Sequence, residues 1–102
     1  MVVRFLVVYD EPTDPEAFDR HYREVHVPLT RRLPGLRRFS ISGEAAAVRG
    51  EPAHLVAELE WDDLDALRAA FASPEGRATA ADVANLATSG VRSVVYEVTD
   101  LL

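Results

Sequence analysis

The chain has 102 residues, about half of them hydrophobic, and a formal net charge of −6. That is enough for one domain and too little for two, too apolar for a disordered segment, and too acidic to favour a nucleic-acid backbone as partner. There is no cysteine, which excludes disulfides, thiolate catalysis and cysteine-ligated zinc or iron–sulfur centres.

Val2 to Tyr9 is rich in β-branched and aromatic residues and predicts strand 1. Acidic residues follow at once, so the segment does not read as a signal peptide. No apolar run in the chain approaches the roughly 20 residues of a bilayer span, and a cytoplasmic protein without a membrane partner is expected. Both faces of strand 1, Val3-Phe5-Val7-Tyr9 and Val2-Arg4-Leu6-Val8, are largely apolar, which predicts cover on both sides.

Asp14 is placed to cap a helix, with Pro15 in its first turn and Glu16 and Asp19 near its N-terminus. Phe18, Tyr22, Val25 or His26, Leu29 and Leu33 trace one helical face. Pro28 is expected to break or kink the helix near His26 and Val27. The reading is a helix over 15–26, then a short helical turn from Pro28, ended by Pro34-Gly35. Leu36 to Ser42 predicts strand 2, Gly43 to Pro52 a loop, and Leu55 to Trp61 strand 3. Asp62 or Asp63 caps a second helix through Phe71. Ser73-Pro74-Glu75-Gly76 restarts it, and Ala78 to Leu86 continues it. Val91 to Val98 predicts strand 4.

The order β-α-β-β-α-β is that of an α+β, ferredoxin-like fold: a four-stranded antiparallel sheet with two helices on one face. The second sheet face then stands open, and exposing its apolar side chains costs about 25 cal/mol per Å². Pairing two such sheets would cover it, which predicts a homodimer, the dimeric α/β barrel.

The run Phe18-Asp19-Arg20-His21-Tyr22-Arg23-Glu24-Val25-His26-Val27-Pro28-Leu29, continued by Leu33-Pro34-Gly35-Leu36-Arg37-Arg38-Phe39, resembles the EthD family of dimeric α/β-barrel proteins. Phe71-Ala72-Ser73-Pro74-Glu75-Gly76 with Asp82 is similar to the second-helix region of that family. The resemblance implies a homodimer with sheets face to face and a pocket between sheet and helices in each subunit. Related barrels include lactone isomerases, polyketide cyclases and dehydratases, cofactor-independent monooxygenases and haem-degrading enzymes. The compact Gly43–Pro52 connection departs from longer members of the family.

His26 is the foremost candidate for chemistry, since it shares an inward face with Phe18 and Tyr22 and imidazole moves protons near neutrality. It reads as a general acid/base or ligand hydrogen-bond donor, or else as a structural histidine bonded to a helix-end carbonyl. Tyr22 would orient a ligand or His26, or simply pack. His21, one residue off the apolar face, is expected to be exposed. His54 has no partner nearby in sequence, and the three histidines have no familiar zinc spacing. Asp82 is expected to be structural, capping or pairing across a dimer. Phe5, Phe18, Phe39, Trp61, Phe71 and Tyr96 are candidate pocket walls. Core packing is the alternative for these aromatics, and the dimer interface for Trp61.

Three functions follow. The first is an enzyme without metal or bound cofactor, isomerising, cyclising, dehydrating or oxygenating a hydrophobic, oxygenated ring compound through His26 and Tyr22. The second is a non-catalytic binding or accessory protein using the same pocket. The third is a haem-binding barrel with His26 or His54 on the iron.

Overall fold

The computed structural model describes residues 1–102. Its strands are β1 (Val3–Tyr9), β2 (Arg38–Ile41), β3 (Leu55–Trp61) and β4 (Val91–Glu97). They form one antiparallel sheet in the order β2-β3-β1-β4. The two central strands are thus β1 and β3, the most apolar of the four. The fold is the α+β, ferredoxin-like arrangement read from the sequence, with β2 shorter than the predicted Leu36–Ser42.

Side chains alternate across the sheet. Val3, Tyr9, Leu55, Ala57, Leu59 and Trp61 point to the helix side and form the centre of the core. Trp61 is fully buried, and its indole N–H donates to the Pro34 carbonyl at 2.9 Å. Gly35, at φ +72°, makes the turn beside it and leaves Trp61 Cδ1 only 3.4 Å from where a Cβ would stand.

The helical layer begins with α1 (Pro15–His21), where the Asp14 carboxylate accepts from the Ala17 N–H at 3.1 Å. The chain then runs without interruption through a π-helical turn, Tyr22–His26, into α2 (Val27–Thr30). The break or kink expected near His26 and Val27 takes the form of this π turn, with no break in the chain at Pro28. Proline lacks an N–H and crowds the carbonyl four residues back. The helix meets this by widening just upstream, where the Val27 N–H reaches back to the Tyr22 carbonyl.

Asp63 caps α3 (Leu64–Ala72), accepting from the Ala66 N–H at 2.8 Å. Ser73 ends α3 and caps α4 (Pro74–Leu86), accepting from the Gly76 N–H at 3.0 Å. At Gly76 a Cβ would collide with the Ala70 carbonyl and the Phe71 backbone. Glycine there lets the two helices fold sharply against each other.

The helices cover only one sheet face, and β4 is exposed along its whole length. On the outer face, Leu6, Val8, Val56, Val94 and Tyr96 share the surface with Arg4, Glu58 and Glu60. Arg4 donates to Glu60 at 3.2 Å, and Arg38 lies 3.6 Å from the same carboxylate. No helix is long and apolar enough to cross a membrane.

Candidate functional site

A cavity of about 200 Å³ lies between the sheet and the helices. Phe5, Val7, Phe39, Ala57 and Leu59 form its sheet side. Phe71, Ala80 and Val83 line it from α3 and α4. Of the aromatic candidates, Phe5, Phe39 and Phe71 are on its wall. Phe18 and Trp61 are not: Phe18 packs in the core between Tyr9 and Tyr22, and Trp61 stands behind Phe71, centroids 5.6 Å apart. Tyr96 must be corrected. It pairs with Arg4 in the register, so the pleat carries its ring to the outer face, away from the cavity.

The polar groups gather at one end, where Tyr9, Tyr22, His26, Thr30 and Thr79 reach the wall. Two of these hydroxyls are already engaged: Thr30 donates to the His26 carbonyl at 2.9 Å and Thr79 to the Glu75 carbonyl at 2.8 Å. The His26 ring lies 5.1 Å from that of Tyr22, which is 5.9 Å from Tyr9.

Behind His26 stands Asp82, on α4. His26 Nδ1 is 2.9 Å from Asp82 Oδ2, and His21 Nε2 is 2.8 Å from Asp82 Oδ1. Asn85 Nδ2 donates to that Oδ1 at 3.0 Å. His26 and Asp82 are both buried, while the His21 side chain is 31% exposed. An ionised carboxylate only accepts, so each facing ring nitrogen must carry the proton. For neutral His26 that fixes the Nδ1–H tautomer and leaves Nε2 a bare lone pair. Nε2 has no protein partner, and no partnerless side-chain N or O atom is sealed within the protein. It is therefore not sealed off, and His26 is one of the residues that line the cavity.

The π turn explains how both histidines reach one carboxylate. An α-helix advances about 100° per residue, so a residue five further on would point about 140° away. Hydrogen bonding from i to i+5 widens the turn and brings His26 back over His21. His21, expected to be exposed, is partly so, and the contact of its Nε2 with Asp82 is what α-helical spacing does not foresee. Asp82 pairs with these two side chains of its own chain.

The electrostatics follow from burial. Desolvation lowers the His26 pKa and outweighs the pull of Asp82, so the ring is neutral at neutral pH. Burial alone would raise the Asp82 pKa, but donors from Asn85, His21 and His26 bring it below the ordinary carboxylate value. The Tyr9 hydroxyl is pushed up to about 12 by burial and by the Asp82 charge, and burial raises that of Tyr22 as well. Both tyrosines are hydrogen-bond donors at neutral pH.

Beyond Tyr22 lies a second, open cleft of about 430 Å³, whose rim includes Glu11, Asp19, Arg23, Glu44 and His54. The fold supplies the partners His54 lacks in sequence: Nδ1 is 3.2 Å from Glu11 Oε2 and Nε2 is 2.8 Å from Asp19 Oδ1. Burial works against its charge, yet the bonds to Asp19 and then Glu11 raise its pKa overall. Both His54 nitrogens are thus engaged by carboxylates. No group of three or more His, Asp and Glu side chains converges as a metal cage requires.

The sequence pattern of the EthD domain matches residues 10–90, and the chain belongs to the EthD family. It is 44% identical over 90 residues to an uncharacterised 11.0 kDa protein from the thcB–thcC intergenic region of Rhodococcus erythropolis, covering 86% of each chain. The crystal structure of an EthD family protein from Bacillus halodurans superposes with a TM-score of 0.88 at 33% identity, covering 97% of this chain and all of that one. The fold is also that of SnoaB, a cofactor-independent oxygenase from Streptomyces nogalater (TM-score 0.71, 23% identity, 99% of this chain and 96% of that one). A dimeric ferredoxin-like protein from Thermobifida fusca shares it too (TM-score 0.74, 17% identity, 96% and 92%).

Proposed function

We propose that the chain catalyses proton transfer on a small oxygenated ring compound, with His26 as general base and Tyr22 and Tyr9 as donors to the substrate oxygen. One observation carries this reading: a buried carboxylate engages His26 at Nδ1, and His26 lines an apolar cavity with its Nε2 left without a protein partner. Packing alone does not call for a bare imidazole nitrogen beside two tyrosines without protein partners for their hydroxyls.

The step is the breaking of a C–H bond next to a carbonyl. The proton goes to His26 Nε2 and the electron pair to the carbonyl oxygen, where the tyrosine hydroxyls stabilise the developing enolate. Asp82 stabilises the imidazolium that forms. Return of the proton to another atom completes an isomerisation. Ring closure or loss of water proceeds from the same enolate, and with molecular oxygen as co-reactant so does oxygenation, the activity named for the structurally similar SnoaB.

The active unit is a homodimer built through the outer sheet face. Val94, 54% exposed, and Tyr96, 38% exposed, stand there beside Leu6 and Val8, and such a strip is costly to leave in water. The Thermobifida fusca protein of the same fold is described as dimeric.

The test is deuterium uptake from D₂O into the activated C–H positions of monocyclic ketones and lactones, followed by proton NMR. Wild type should exchange at least one of them, and His26→Ala should slow this 10²–10⁴-fold, the range of general-base catalysis, while still binding it. Saturable binding without exchange in either protein would instead make the chain a carrier. Equal exchange in both would remove His26 from the chemistry.

A further inference from the structure

We infer that the cavity takes a neutral, single-ring compound with one carbonyl or phenol oxygen, and refuses carboxylates and fused polycycles. This rests on reading the cavity as the ligand site, and it adds a limit on size, charge and functional group.

Size comes first. A dry apolar cavity of about 150 Å³ accommodates benzene, so the 200 Å³ here admits a six-membered ring with a short substituent. That is about eight non-hydrogen atoms by the same scaling. Drug-sized ligands occupy about 300 Å³ and more, so a fused polycycle exceeds this volume and would leave rings outside the apolar walls, where Phe5 and Phe71 pack at 5.2 Å.

Charge comes second. No arginine lines the cavity, and the charge nearest its polar end is the Asp82 carboxylate behind His26. A carboxylate entering there would leave water for two phenol donors and no cation, near the Asp82 charge, which is unfavourable. Tyr22 lines both the cavity and the outer cleft, whose rim carries Glu11, Asp19 and Glu44 against Arg23 and His54.

The functional group comes third. With Thr30 and Thr79 engaged, the groups left are two protonated phenols that donate and one imidazole nitrogen that accepts. A ketone oxygen takes the phenol donors and turns its α-carbon to His26. A phenol accepts from Tyr9 and donates to Nε2. A hydrocarbon of the same shape would leave all three polar groups unpaired.

The experiment is calorimetric titration of the wild-type protein with acetophenone, benzoate, ethylbenzene and fluorenone. Acetophenone should bind saturably, with ethylbenzene at least tenfold weaker and benzoate and fluorenone undetectable. Tyr9→Phe should weaken acetophenone about fivefold and leave ethylbenzene unchanged. Val83→Phe, with its fold checked by thermal melting, should abolish acetophenone binding by filling the cavity. Benzoate or fluorenone binding as tightly as acetophenone would overturn the inference, and so would acetophenone binding that Val83→Phe does not disturb, or no binding at all. Acetophenone binding without deuterium exchange at its methyl group would leave the inference standing and count against the catalytic reading alone.

Discussion

His21 and His26 bind opposite oxygens of one carboxylate, at 2.8 and 2.9 Å, although an α-helix would point them apart. The π turn between them is what makes a single acid on α4 sufficient to anchor the whole first helical segment. Asp82→Ala would strand the His26 Nδ1–H in the interior, which costs about 1–3 kcal/mol. Urea denaturation should show this loss. His21→Ala should cost less, because its side chain is part-exposed and water can replace it.

The two perturbed histidines act on stability in opposite pH windows. The folded His26 pKa lies below the unfolded value of 6.5, so only the unfolded chain takes up that proton in between. Stability from this group is complete above about 6.5 and falls as pH drops from there toward the folded value. Asp82, lowered below 3.8, adds a further loss in more acid solution. His54 is raised above 6.5, so its contribution is complete below that value and is lost as pH rises through its folded pKa. Stability measured by thermal denaturation should crest near pH 6.5. His54→Ala should flatten the alkaline side, and His26→Gln the upper part of the acid side.

Gly76→Ala tests the junction of α3 and α4. Its Cβ meets main-chain atoms of Ala70 and Phe71, which cannot swing aside as a side chain would. The expected cost is about 1–3 kcal/mol, or a fall in Tm of about 4–8 °C per kcal/mol for a domain of this size. Gly43→Ala, with nothing within 4 Å of its Cβ, should change Tm little.

The double variant Val94→Asp, Tyr96→Glu places two carboxylates on the outer sheet face, across β1 from Glu58 and Glu60. Sedimentation velocity should find the wild type dimeric and the variant monomeric, with unchanged secondary structure by circular dichroism. A wild type that sediments as a monomer at micromolar concentration would contradict the proposed assembly.

Much of the fold was legible because its determinants are local. Strand alternation, the Asp14, Asp63 and Ser73 caps, and the Pro34-Gly35 turn each act within a few residues. His26 and Tyr22 were legible as a pair through their four-residue spacing. The Asp82 cluster was hidden for two reasons. Its partners lie 56 and 61 residues away in sequence, and the π turn breaks the periodicity by which helical faces are read. Pro28, four residues after Glu24, was the available signal: a proline within a sustained apolar face asks for a local change of register. Tyr96 was misplaced because β4 is apolar on both faces, so alternation there does not say which one meets the helices.

The central claim is that His26 stands neutral with its proton on Nδ1 and a free Nε2 toward the cavity. Long-range ¹⁵N–¹H correlation spectra of histidine-labelled protein at pH 7 read this directly. The account predicts one buried histidine as the Nδ1–H tautomer, its signals absent in His26→Gln. A proton on Nε2, or an imidazolium at that pH, would contradict it, because no base would then face the cavity.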